Sequence, residues 1–194
     1  MQKITSYLPS FLFVLFIGCE LFNVREVQPP ADARSNFLPA ISADIVIQNL
    51  ISSLSDKNTQ NYISCLSNNK AKRFQFVFLP SAEALSKYPV FLEDWSILQE
   101  EQYFNNVTFK LPEESSISLT LQDTVKSLLG DSVYFSAKYS LTVPHTDISI
   151  PNVFQGEFKL KLFRDENNLW SIFFWQDIKN SSLPSWSELK GVFY

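Results

Sequence analysis

A carboxylate shielded from water among aromatic rings accepts a proton more readily than a solvated one. Asp177 is the residue of this chain best placed for that role, because it follows Phe173-Phe174-Trp175-Gln176. Turned inward, it could act as a general base on a small hydrophobic substrate. The commoner role of such a residue is to end a strand and hold the next turn or helix. A one-residue change of register would point it the other way. Tyr62 and Tyr103 carry phenols that could donate to a ligand, although tyrosines in this setting usually pack a core and reach its rim with their hydroxyls. His145 is the single histidine. It follows Pro144 in an expected loop, where a histidine is normally exposed, and one histidine leaves no His-rich metal site and no partner set for a triad. Glu100-Glu101 reads as a solvated helix face rather than a metal pair. Trp95, Phe104, Phe173 and Trp175 could line a pocket for an apolar ligand or fill it, and 18 phenylalanines are enough to do either. These residues compose no catalytic signature. With four glycines and neither G-x-x-x-x-G-K nor G-x-G-x-x-G, the chain also has no nucleotide or cofactor fingerprint.

These side chains must be positioned by helices first and strands afterwards. Ile47, Leu50, Ile51 and Leu54 recur at helical spacing, predicting a helix over 42–55 with Ser42 as its cap. A second helix is expected over 59–67, a short strand through Phe74, Phe76 and Phe78, a helical turn from Ser81, and a longer helix from about 91–93 to 104. Strict alternation then takes over. It runs through Ile117, Leu119 and Leu121, through Val133 to Val143, and through Phe154 to Phe163. The segment 169–178 has apolar residues on both sides, with Trp170, Ile172 and Phe174 on one face and Phe173 and Trp175 on the other. It is therefore expected to be covered on both faces. Ser185-x-x-Glu188 is a capping box, and Gly191 is read as the stop of a short helix over 185–190. The pattern is α+β, with N-terminal helices packed on a curved, mostly antiparallel sheet that forms a cone, and a short C-terminal helix.

The first residues are of another kind. From Leu8 to Gly18 the chain is apolar and uncharged, too short for a bilayer-spanning helix but long enough for the core of a signal peptide, with Lys3 as its positive flank. Phe16-Ile17-Gly18-Cys19 resembles a bacterial lipobox, departing from its usual form at the two bulky positions. The resemblance implies a signal peptide over 1–18, removed as the Cys19 thiol is joined to diacylglycerol and the residue acylated (palmitate being the usual chain). Residues 19–36, with Pro29-Pro30 and little apolar surface, are then a flexible tether, and 37–194 a single domain. The expected address is a bacterial cell envelope, with membrane lipid reached through Cys19. Cys65 would then be without a disulfide partner, as a small buried apolar residue. Twenty acidic against 16 basic residues, with no basic run, argue against nucleic-acid binding.

The order of elements over 42–178 resembles the nuclear transport factor 2-like superfamily, the cone fold of ketosteroid isomerase-like and polyketide cyclase-like proteins. Its carriers are "IQNLISSLSDKNTQNYISCLS", "SVYFSAKYSLTV", "GEFKLKLFRDENNLWSI" and the closing "FFWQD". The resemblance implies a cone with a pocket and carries no site residue across. Two expectations follow. One is an envelope lipoprotein whose domain binds an apolar small molecule or a protein partner, with a homodimer through the outer sheet face as one form of assembly. The other is an isomerase-, dehydratase- or cyclase-like enzyme using a buried carboxylate.

Overall fold

The structure is a computed structural model, and it describes residues 36–69 and 72–194. The signal peptide, Cys19 and all but the last residue of the tether lie outside the described residues.

Helix α1 (Ala43–Ser55) starts where the sequence places it, with the Ser42 side chain accepting from the Ile45 N–H. Val46, Leu50 and Leu54 are wholly buried on its inner stripe, each contributing about 1.5–3 kcal/mol of burial. Asp56-Lys57 ends it, and Asn58 caps α2 (Thr59–Ser64). That helix is shorter than expected, because the backbone of Cys65–Ser67 turns to pair with Ile172. A 3₁₀ turn, Lys72–Phe74, takes the start of the expected first strand and leaves β1 as Val77–Leu79. After α3 (Ala82–Lys87) the anticipated long helix is two. Helix α4 (Pro89–Leu92) stops, and α5 (Ile97–Phe109) restarts at Ser96. The Ser96 side chain accepts from Leu98, while the Gln99 side chain accepts from the Ser96 N–H, which is a capping box at Ser96-x-x-Gln99. Trp95 therefore sits in the break, not on a helix.

Four long strands follow: β2 (Ser118–Leu129), β3 (Ser132–Thr142), β4 (Val153–Arg164) and β5 (Trp170–Ile178). The order across the sheet is β1-β5-β4-β3-β2, antiparallel except for the β1–β5 edge. Strand β2 runs well beyond the alternating stretch that ends at Leu121. Asp123, at φ 50°, shifts its register against β3, and from Gln122 to Leu129 both faces of the strand are exposed, so no apolar row marks that half. A second irregularity lies in β5, where Leu162 pairs with Ile172 but Lys161 with Phe174. Phe173 is the extra residue. Its insertion puts Ile172, Trp175 and Asp177 on the inner face together. The curved sheet closes over a core drawn from α1, α5 and the inner rows of β3, β4 and β5. The last element, α6 (Trp186–Phe193), enters that core and runs through Gly191 instead of stopping there. A Cβ at Gly191 would lie 2.3 Å from the Tyr88 ring, so the glycine is there for close packing.

Candidate functional site

The interior of the cone is occupied by α6. Trp186, Leu189 and Lys190 are fully buried, and the Trp186 ring stands edge-on to Trp175 at 4.7 Å between centroids. Two buried carboxylates meet the helix, one at Ser187 and one at Lys190.

The first is Asp177, 1% exposed. Its Oδ2 accepts from the backbone N–H of Ser187 at 2.8 Å and from the Ser187 hydroxyl at 2.5 Å. Its Oδ1 accepts from the Tyr139 hydroxyl at 2.7 Å, and Tyr139 in turn accepts from the Trp186 N–H. The free N–H groups of a helix start are thus met by a negative charge. Ser81 adds its own N–H to the Ser187 hydroxyl, and Glu188 accepts from the Ser185 N–H while paired with Lys179. Gly156 gives Tyr139 its place, since a Cβ there would come within 2.6 Å of the phenol oxygen. Asp177 is therefore inward-facing, as a general base requires, yet its oxygens are directed at the chain's own backbone and hydroxyls.

The second carboxylate is Glu100, expected on a solvated face and found with no exposure. Its Oε1 accepts from the Tyr62 hydroxyl at 2.5 Å. Its Oε2 accepts from the Trp95 indole at 2.5 Å and from the Lys190 ammonium at 2.6 Å. Glu101 does face solvent. The Lys190 Nζ also lies 3.6 Å from the centroid of the Phe78 ring and 4.6 Å from that of Trp175. Burial drives the Lys190 pKa below that of a free lysine, with Glu100 pulling the other way. Burial, then the Glu100 charge, holds the Tyr62 and Tyr103 hydroxyls well above their ordinary pKa.

Neither tyrosine reaches a rim, contrary to expectation. Tyr62 stacks on Phe104 at 4.2 Å, and the Tyr103 hydroxyl accepts from the Trp186 indole at 3.0 Å. Trp95, Phe104 and Trp175 fill the interior rather than line an opening. Phe173 is elsewhere, edge-on to Phe74 and Phe163 on account of the bulge. His145 is buried, not exposed. Its Nε2 must be the protonated nitrogen, since it faces the Pro151 carbonyl at 3.2 Å, and the ring packs on Phe193. Cys65 is a buried free thiol, with its pKa pushed up to about 12 by desolvation. Among the described residues no cluster of His, Cys, Asp and Glu is composed to hold a metal, and no helix is long and apolar enough to cross a membrane.

Sequence reasoning missed Glu100, although a signal was present. Glu100, Tyr103, Phe104 and Val107 stand at helical spacing, and all four are the buried face of α5. The surface carries an apolar groove of about 530 Å3 walled by Phe37, Leu66, Phe163, Leu169 and Trp170, with Ser67 and Asp165 at its edge.

A structural comparison decides the fold. A candidate dehydratase of the nuclear transport factor 2-like family from Streptomyces avermitilis superposes over 74% of this chain and 96% of its own, at 8% identity and a TM-score of 0.53. The fold is the nuclear transport factor 2-like fold. A superfamily protein from Salmonella enterica serovar Typhimurium matches 72% of this chain and 87% of its own (12% identity, TM-score 0.52). A protein of unknown function in nutrient uptake from Rhodospirillum rubrum matches 72% and 99% (10% identity, TM-score 0.51). No family model matches the sequence, and no curated protein does. At these identities the likeness is one of architecture, and function has to be argued from this chain's own residues.

Proposed function

We propose that this chain is a membrane-anchored envelope lipoprotein whose cone is a closed, non-catalytic scaffold, and that it binds an apolar ligand or a protein partner from its outer surface. One observation carries the reading. Both interior carboxylates, Asp177 and Glu100, have their oxygens directed at groups of this chain, and the buried side chains of α6 fill the space beside them. An isomerase-, dehydratase- or cyclase-like enzyme needs a carboxylate facing an open cavity, and the candidate Asp177 serves the start of a helix instead. Ligand contact then falls to the surface. The groove at Phe37, Leu66, Leu169 and Trp170 has a volume within the range of small-molecule sites, about 300–1,000 Å3. The outer sheet face is less suited to a large apolar dimer contact. It alternates Lys138, Glu157, Lys159 and Lys161 with a few apolar residues such as Tyr134 and Phe174.

The anchor rests on the Gly18-Cys19 junction and the short apolar run before it. Acyl chains on one residue contribute about 0.8 kcal/mol per buried methylene, so two or more give stable attachment. Mass spectrometry of the mature protein extracted from membranes tests it. The expected result is an amino-terminal Cys19 carrying diacylglycerol, and a free Cys19 thiol overturns the anchor. Titration with an apolar fluorescent dye tests the binding half. Dye bound by the wild type should be lost in Trp170→Ser, and equal binding by both removes the groove from the reading.

A further inference from the structure

Among the described residues Lys190 is the lysine with no exposure, and its surroundings are specific. The Nζ faces four aromatic rings, with centroids at 3.6 Å (Phe78), 4.6 Å (Trp175), 5.4 Å (Trp95) and 5.7 Å (Tyr103). Glu100 Oε2 is 2.6 Å away. Ring faces around a single carboxylate are the chemistry by which proteins recognise ammonium ions. None of the walls belongs to α6. Phe78 is on β1, Trp95 in the break before α5, Tyr103 and Glu100 on α5, and Trp175 on β5. Glu100 is also oriented without help from α6, since the Tyr62 hydroxyl holds one oxygen and the Trp95 indole the other.

We propose that this box is an ammonium-recognition site that the chain fills in cis, with α6 delivering its own alkylammonium group. A free primary alkylammonium ion takes the same place once the Lys190 side chain is removed. The reason is charge balance. A carboxylate at zero exposure needs a positive partner, and among the described residues Lys190 is the cation that pairs with Glu100. An empty box therefore selects a cation over a neutral molecule of the same shape. This distinguishes it from a plain cavity, which would take either.

The test uses the full chain carrying Lys190→Ala, with n-butylammonium as probe and n-butanol as its neutral counterpart. Butylammonium should raise the midpoint of thermal unfolding of Lys190→Ala in a saturable way, and bind it at least tenfold more tightly than butanol does. Wild type, with its box filled, should show no such response, and Lys190→Ala combined with Glu100→Gln should lose it. Equal effects of amine and alcohol, or no effect of either, overturn the proposal, as does an undiminished response in the double variant. Should Lys190→Ala fail to fold alone, refolding in butylammonium but not in butanol is the expected result. Wild type supplies a separate reading by nitrogen-15 magnetic resonance. The Lys190 Nζ protons should be those of an ammonium group, protected from exchange and shifted upfield by the rings. A neutral amine signal at neutral pH overturns the assignment.

Discussion

Asp177→Asn is the most informative single change in this domain, because the substitution keeps the shape and removes only charge and acceptor capacity. In the wild type Oδ2 takes two donors from Ser187 and Oδ1 one from Tyr139. An asparagine can keep one oxygen but must present an NH2 group where the other was, facing at least one donor. A buried N–H left without an acceptor costs about 1–3 kcal/mol, and each hydrogen bond to a charged group is worth about 1.5–3 kcal/mol. Loss of the negative charge at the helix start adds up to about 2 kcal/mol. These overlap, so the sum is not the prediction. Breaking one partner of a buried charged network costs about 3–5 kcal/mol, and we expect Asp177→Asn to fall there, a large share of the about 5–15 kcal/mol that holds a domain of ordinary stability. The assay is urea unfolding, with amide hydrogen exchange across α6 measured alongside. Protection of Trp186–Leu189 should fall by at least as much as global stability does. A change within about 0.5 kcal/mol, the range of a surface substitution, with α6 protection intact, would refute the claim that Asp177 exists to hold the helix.

Gly191→Ala places a methyl group against the Tyr88 ring and should lower stability by about 1–3 kcal/mol through overpacking; adding Tyr88→Leu should recover most of it, as thermal unfolding will show. Alkaline pH should unfold the domain cooperatively. Tyr62, Tyr103 and Tyr139 have pKa values raised well above 10.0, and Cys65 is raised from 9.0 to about 12. Above pH 9 to 10 the unfolded chain releases these protons while the native state keeps them, so stability falls as pH rises, with Cys65 alone accounting for about 4 kcal/mol across its window. Lys190 has the opposite sign, since its depressed native pKa means that the unfolded chain binds more protons below 10.5 and stability from this one group rises with pH. Tyrosinate absorbance from the three buried phenols should therefore appear only with the unfolding transition, and their titration in the folded protein near pH 10 would contradict the burial described.

Much of this architecture was legible in the order of periodicities. The Ser42 cap, the alternation from Val133 to Leu141 and the capping box at Ser185 each rest on local chemistry, and each recurs in the structure. What escaped was set at a distance or by one residue. Phe173 breaks a period of two, and a pattern read across it comes out with the faces exchanged, while β2 beyond Gln122 is exposed on both faces and offers no period to read. Gly191 looked like a stop because a glycine's use in packing depends on Tyr88, a residue far away in sequence. Glu100 was misjudged by its type rather than its spacing. An acidic residue beside another suggests solvent, whereas its position on the stripe with Tyr103, Phe104 and Val107 places it inside. The interior polar groups could not be paired from sequence at all, since Lys190 lies 90 residues from Glu100.

That separation bears on how the molecule comes into being. A chain made at about 5–20 residues per second has its first acidic interior residue in hand several seconds before the lysine that neutralises it. Through that interval the strands β2 to β5 and then α6 are still being added, and the nascent polypeptide has no reason to lock. Final consolidation waits on the arrival of Trp186 to Lys190, so the newborn domain stays pliable until that helix has been made.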